Sequence, residues 1–261
     1  MDTANKYLIN TVYNAMAILK LFSQEKPEWG ISELAQHLNL NISHTKRLVK
    51  TLENEGFLQR NKANRRYRLG LAALSICGVI TSTMEIHREA EPILKEVVQR
   101  TQEAVHLGIL EGTDIVYLNK MDGPHPVRLV SYTGKKLPSY CTGCGKVLLA
   151  YKNKKAQAEL LQLIEHQGIK PLGPNTVRSV EELKRQLDQI KREGYAICID
   201  ELHEGVVSIA APVFDYTEQA IASISVTGPT HRVSTEAIIG KYKDIIVAAA
   251  HKISERLGYP K

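Results

Sequence analysis

Residues 31–57 read ISELAQHLNLNISHTKRLVKTLENEGF, and this stretch decides the N-terminal fold. Ile31, Leu34, Ala35 and Leu38 recur at helical spacing, which predicts a short helix with Ser32 as its N-cap and Glu33 in its first turn. Asn39-Leu40-Asn41 reads as a turn. Asn41 then caps a second helix running through Asn54, with Thr45, Leu48, Val49 and Leu52 as its buried stripe. Gly56 suits a left-handed helix end. Upstream, Val12, Ala15, Ile18, Leu19 and Phe22 predict an amphipathic helix over 11–22. Downstream, Phe57-Leu58-Gln59 and Tyr67-Arg68-Leu69 read as strands flanking a basic loop, Arg60 to Arg66. Helix, tight turn, longer helix and basic hairpin follow in the order of a winged helix-turn-helix, assigned to residues 1–70.

Charge supports the same reading. The chain has 261 residues and a formal charge of +6, and its first 75 residues carry 11 Lys and Arg against 6 Asp and Glu. A positive surface concentrated in one module is the footprint of a polyanion binder. With the apolar stripe turned inward, Ser43, His44, Thr45, Lys46, Arg47 and Lys50 are the candidate DNA contacts from the second helix of the motif. Asn64, Arg65 and Arg66 are the candidates from the wing. The expected partner is a double-stranded DNA operator.

Composition is otherwise ordinary, at 43% apolar and 24% charged, which excludes collagen-like and wholly disordered classes. The longest uncharged stretch, Leu69 to Met84, is polar-punctuated and short of the ~20 apolar residues a membrane span needs. Met1 to Lys6 lacks the apolar core of a secretory signal. Cys77, Cys141, Cys144 and Cys198 make no disulfide framework in a chain this long. The expectation is a cytoplasmic protein without a membrane partner.

Residues 71–84 read as an apolar linker helix and a possible dimer contact. From Glu85 the chain alternates helix and strand, predicting an α+β effector domain over 85–261 on an antiparallel sheet. A helix over Glu85 to Thr101 contains Pro92, which should kink it or mark a restart. Predicted strands are Val105–Leu110, Ile115–Lys120, Val127–Tyr132, Tyr195–Asp200, Val206–Phe214 and Ala220–Thr227.

The last three strands carry the functional signal. Ala196, Cys198 and Asp200 share a face opposite Tyr195, Ile197 and Ile199. Ser208 and Ala210 oppose Val207 and Ile209. Ser223, Ser225 and Thr227 oppose Ala222, Ile224 and Val226. A solvated sheet face usually bears Lys, Glu and Arg, so small hydroxyls, a thiol and a carboxylate suggest a covered polar face, as a small-molecule pocket requires. In residues 137–150, LPSYCTGCGKVLLA, a glycine-containing turn runs into a helix whose free N–H groups suit an anion. The spacing is not that of a phosphate-binding P-loop.

Together these segments resemble the IclR-type bacterial transcriptional regulators along almost the whole chain. The resemblance rests on Ile31-Ser32-Glu33-Leu34-Ala35 with Arg47-Leu48 and Thr51-Leu52-Glu53, then on Leu137-Pro138 through Gly143-Cys144-Gly145-Lys146. It rests also on Gly194-Tyr195-Ala196, Glu201, Gly205-Val206, Ala210-Ala211-Pro212-Val213-Phe214-Asp215, Ser225-Val226-Thr227-Gly228-Pro229 and Arg232. It implies a winged helix-turn-helix, a GAF-like effector domain, and a homodimer that pairs into a tetramer on DNA. It places effector-binding groups at Gly143, Cys144, Ser208, Ser225 and Thr227. Cys198 stands where some members have an acid, and Asp200 follows two residues on, so both join the candidate list.

Two other readings compete. Cys141 and Cys144, with Cys198 and either His106 or Asp200, could form a zinc or redox sensor, since thiolate and imidazole suit zinc. An enzyme with Cys144 as a helix-terminal nucleophile is the other, but no base is evident near it and the DNA-binding half would be unexplained. The expectation is therefore a regulator controlled by a small organic acid, with no catalytic residue, no metal and no cofactor.

Overall fold

The computed structural model describes residues 8–125, 131–234, 236 and 238–260. The chain forms two compact units, with the boundary between Thr83 and Met84.

In the first unit, α1 (Asn10–Lys20), α2 (Ile31–His37) and α3 (Ile42–Asn54) precede a hairpin of β1 (Leu58–Arg60) and β2 (Tyr67–Leu69). The Asn41 side chain accepts from Ser43 N at 2.8 Å, which caps α3 as the sequence predicts. Ser32 does not cap α2. Gly30 is the N-cap, and its N–H donates to the Glu33 carboxylate at 2.9 Å. Leu34, Leu48, Val49, Leu52, Leu58 and Tyr67 close a core around Ile18 and Trp29. Trp29 also exchanges two backbone hydrogen bonds with Tyr67, so the wing is stitched to the chain before α2. Gly56 takes φ +75°, the left-handed bend that ends α3. α4 (Leu71–Thr83) follows, and none of its residues is buried.

The second unit is built on an antiparallel sheet of six strands, ordered β5-β4-β3-β8-β7-β6. These are β3 (Ala104–Glu111), β4 (Asp114–Met121), β5 (Lys136–Pro138), β6 (Ala196–Ile199), β7 (Val206–Phe214) and β8 (Ala220–Pro229). One face carries Val105, Leu107, Ile209, Ile224 and Val226 against α5 (Glu85–Thr101) and α9 (Lys243–Arg256). The other face is covered by α6 (Gly143–Ala150), with α7 (Lys154–Gln167) and α8 (Val180–Glu193) packed around it. This is the α+β architecture expected from the sequence.

Several local expectations change. α5 runs unbroken past Pro92, with Ala90, Ile93 and Leu94 buried on either side of it. The strand expected at Val127–Tyr132 falls largely outside the described residues, and Ser131 and Tyr132 lie in no strand. β5, which pairs with β4 at the sheet edge, has no counterpart among the expected strands, because three residues ending in Pro138 show no period. The last helix, expected over Ser234–Leu257, is preceded by a π-helical turn at Ile238–Tyr242.

α6 is fixed by contacts that only glycine permits. A Cβ on Gly145 would lie 2.4 Å from both the Cα and the carbonyl oxygen of Ser139. Gly145→Ala should therefore destabilise the fold by roughly 2 kcal/mol or more, since neither atom belongs to a side chain that can swing aside. Denaturant titration checks this, and an unchanged midpoint would contradict the packing.

Candidate functional site

Two surfaces carry the candidate residues. The first is the outer face of α3 with the wing. Ser43, Lys46, Arg47 and Lys50 are exposed along α3, and His44 is partly so. Lys50 also pairs with Glu53 at 2.9 Å. Thr45 must be removed from the candidate contacts. It is 0% exposed, and its hydroxyl donates to Asn41 O at 3.1 Å inside the helix–helix packing. The buried-stripe assignment explains this residue.

The wing is pinned rather than loose. Glu28 accepts from Asn61 at 2.9 Å and from Asn64 at 2.7 Å, and these two bonds hold its carboxyl below the usual range. The Arg66 guanidinium donates to Glu33 at 2.5 Å and to the Glu28 carbonyl at 3.2 Å. Asn64 and Arg66 therefore position the wing through bonds within the chain. Arg65, at φ +58°, sits exposed at the tip, with Arg60, Lys62 and Arg68 along the hairpin.

The second surface is a pocket between α6 and the sheet. Strand register brings Cys198, Ser208 and Thr227 into one row and Ala196, Ala210, Ser225 and His106 into the next. α6 lies directly on these rows. A Cβ on Gly143 would meet Ala210 Cβ at 3.1 Å and Ser208 Oγ at 3.2 Å, so a larger residue would lift the helix. Thr142 caps α6 by accepting from Gly145 N at 3.3 Å. Gly143 and Cys144 are then the first two helical residues, whose N–H groups have no intrahelical acceptor.

The pocket volume is about 40 Å³, room for a few waters. Its walls include Gly143, Cys144, Cys198, Ser208, Ser225 and Thr227, all candidates from the sequence. They also include Tyr117, Cys141, Thr142, Glu201, Leu202 and Val206. Asp200 is not a wall. It adopts φ +56° and its carboxylate accepts from Gly205 N at 2.6 Å, which closes the turn from β6 to β7. The carboxylate in the pocket is Glu201, one residue on, because the chain leaves the sheet alternation at that turn. Glu201 pairs with Lys146, which is 1% exposed and also donates to Gln186 at 2.5 Å.

The three cysteines of this region are buried and unpaired by disulfides. Burial raises Cys141 and Cys144, to about 12 and 11, and raises Cys198 further still. Cys141 donates to Pro138 O and Cys144 to Ser223 O, both at 3.5 Å. Neutral thiols are poor nucleophiles. Among the described residues, no group of three or more His, Cys, Asp and Glu is placed to hold a metal. The lowered pKa that a nucleophilic Cys144 would need is overturned by its burial.

His106 borders this face. Its Nε2 lies 2.8 Å from Ser131 Oγ, its Nδ1 3.5 Å from Thr227 Oγ1, and its ring stacks on Tyr117 at 4.4 Å. Desolvation, and then the nearby Lys120, push its pKa from 6.5 down to about 3. The ring is neutral and orients hydroxyls; it is not a cation for an acid.

The match to known proteins follows the same two surfaces. Residues 11–62 match the IclR helix-turn-helix domain, and residues 78–255 match the family described as bacterial transcriptional regulator IclR C-terminal. The regulator XynR of Escherichia coli K12 is 32% identical over 97% of this chain and 99% of its own length. The crystal structure of IclR from Thermotoga maritima superposes with a TM-score of 0.78 at 31% identity, covering 97% of this chain and 100% of that one. An IclR homologue from Microbacterium hydrocarbonoxydans, complexed with 4-hydroxybenzoate, shares the fold at a TM-score of 0.80 and 23% identity, covering 95% of this chain and 98% of that one. Among the described residues, no helix is long and apolar enough to cross a membrane.

The two arginines of the first surface should respond differently to removal. Arg47→Ala should weaken DNA binding and take roughly one unit off the slope of log affinity against log salt, as loss of a single phosphate contact does. Arg66→Ala should instead lower the thermal midpoint of the N-terminal unit, since it frees the wing from Glu33. Fluorescence anisotropy over a salt series, with calorimetry alongside, separates the two; identical behaviour would contradict the division of roles. Separately, a histidine whose pKa is depressed by folding contributes stability that is complete above pH 6.5 and is lost as the pH falls toward about 3. The unfolded chain takes up that proton first. The wild-type midpoint should therefore fall further than that of His106→Gln between pH 6.5 and about 4.5. An equal fall would contradict a buried neutral ring.

Proposed function

The chain belongs to the IclR family of transcriptional regulators, and on that footing we propose that a small carboxylate in the α6 pocket controls its grip on an operator. The observation that carries this reading is the first turn of α6. Gly143 and Cys144 hold two free N–H groups at the positive end of a helix, inside a wall of Ser208, Ser225 and Thr227 hydroxyls. Helix dipole and N–H groups favour a carboxylate, and the hydroxyls orient it. Lys46 and Arg47 on α3, with Arg65 on the wing, contact the DNA, and Ser43 and His44 lie nearest the base edges. Asn64 and Arg66 hold the wing in place for them. Control then requires that the acid bind two arrangements of the assembly unequally.

The assembly is a homodimer, with a dimer of dimers on DNA. α4 exposes Leu71, Leu74, Ile76, Val79 and Ile80, and α1 exposes Val12, Tyr13 and Met16. Apolar surface on this scale supports pairing between copies. A dimer places two recognition helices on one operator, which makes the operator two-fold symmetric. The chain works in the cytoplasm, where its DNA lies.

Selection from a random DNA pool tests the reading. The full chain should enrich a two-fold-symmetric sequence, and a panel of small carboxylates should change its affinity for that sequence at least fivefold. Ser225→Ala should abolish the response while leaving acid-free binding unchanged. No enriched sequence would contradict the DNA role; enrichment without any response to acids would contradict the effector. Leu74→Glu with Val79→Glu should give a smaller sedimenting species with weaker operator binding, and an unchanged mass would count against α4 as the contact.

A further inference from the structure

Glu201 is unexpected in a pocket that favours an anion. Its side chain is almost fully buried, yet it forms part of the same wall as Cys144 and Ser208. Its placement is enforced. The Thr176 hydroxyl donates to the Glu201 carbonyl at 2.6 Å, and a Cβ on Gly173 would lie 2.3 Å from Asp200 O, so the chain 173–176 clamps this turn from outside. One carboxylate oxygen is taken by Lys146, which Gln186 holds in turn. A carboxylate has about four acceptor positions, and Lys146 and the Cys198 thiol each supply one proton to them. Glu201 also lines the pocket of about 40 Å³, so any acid bound there lies within a few ångströms of it.

Resting on the carboxylate reading of this pocket, we propose that Glu201 selects the effector: the ligand is a small hydroxy acid, with its carboxylate at the α6 N-terminus and its hydroxyl donating to Glu201. A plain carboxylate offers no donor to the acceptor positions that Lys146 and Cys198 leave on Glu201, whereas a hydroxyl does. A neutral donor matches better than an ammonium group, because Lys146 already neutralises Glu201 and a second cation would be uncompensated. Sites that hydrogen-bond a hydroxyl reject analogues lacking it far more strongly than apolar pockets reject a missing methylene. Glu201 is thus a specificity-determining residue, and Lys146 is the positioning residue that holds it.

Calorimetric titration of the full chain with matched acids tests this: glycolate against acetate, lactate against propionate, with glycine and alanine as the ammonium analogues. At least one hydroxy acid should bind tenfold or more tightly than both its deoxy and its amino counterpart. The double variant Lys146→Met with Glu201→Leu removes both charges at similar volume, and should bring the hydroxy and deoxy acids to within about threefold of each other. Equal or tighter binding of acetate or propionate in the wild type would overturn the proposal, as would an amino acid as the best ligand or a preference that survives in the double variant. If the variant does not fold, the wild-type pairs decide alone. Binding of none of these acids would overturn the carboxylate reading itself and this inference with it; binding without discrimination would overturn only the inference.

Discussion

The close approach of α6 to the sheet is the constraint on which the rest depends. Gly143 rests on Ala210 and Ser208 with no space for a side chain, and Gly145 rests on the Ser139 backbone. The sheet face beneath must therefore carry small residues, and small residues at those positions bring hydroxyls and thiols with them. A helix pressed end-on into such a face leaves its first N–H groups enclosed but unpaired by the helix. The geometry that closes the second core also leaves a small pocket at the helix N-terminus.

The buried charges follow from the same approach. Lys146, one turn into α6, is carried below the surface by the helix and needs a partner there. Glu201 and Gln186 supply it from the β6–β7 turn and from α8. Removing one partner would leave an uncompensated buried charge, which is far more damaging than removing the pair. In the first unit the charges serve differently. Glu28 and Glu33 sit at the base of the wing and use Asn61, Asn64 and Arg66 to hold it, while Arg65, Lys46 and Arg47 stay exposed. The basic hairpin thus holds two groups of residues, one bonded within the chain and one exposed.

Much of this was legible in the sequence. The winged helix-turn-helix followed from periodicity, the Asn41 cap and Gly56, each a local signal that tertiary packing had no reason to override. The small polar sheet face followed from alternation along β7 and β8, because a period of two places Ser208, Ser225 and Thr227 on one side whatever the neighbouring strands do. What was missed depends on chain geometry that alternation does not carry. Asp200 and Glu201 could not be told apart, since a left-handed residue at 200 breaks the alternation and turns the next side chain inward. Tyr117 reaches the pocket from β4, far in sequence from α6, β7 and β8, whereas Thr142 directly precedes Gly143 and shows no period of its own. The protonation of the cysteines was equally hidden: a helix start lowers a thiol pKa and burial raises it, and only the structure shows that burial wins. The bonds that Asn64 and Arg66 make within the chain were hidden because Glu28 and Glu33 lie more than thirty residues upstream.

The central claim is that the α6 N-terminus receives the carboxylate of the effector. Titrating the ¹⁵N-labelled chain with a small hydroxy acid and following its amide resonances tests this most directly. The account predicts that the Gly143 and Cys144 amides move first and furthest, saturating together with the backbone signals of Ser225 and Thr227. Saturable shifts elsewhere, with Gly143 and Cys144 unmoved, would contradict it.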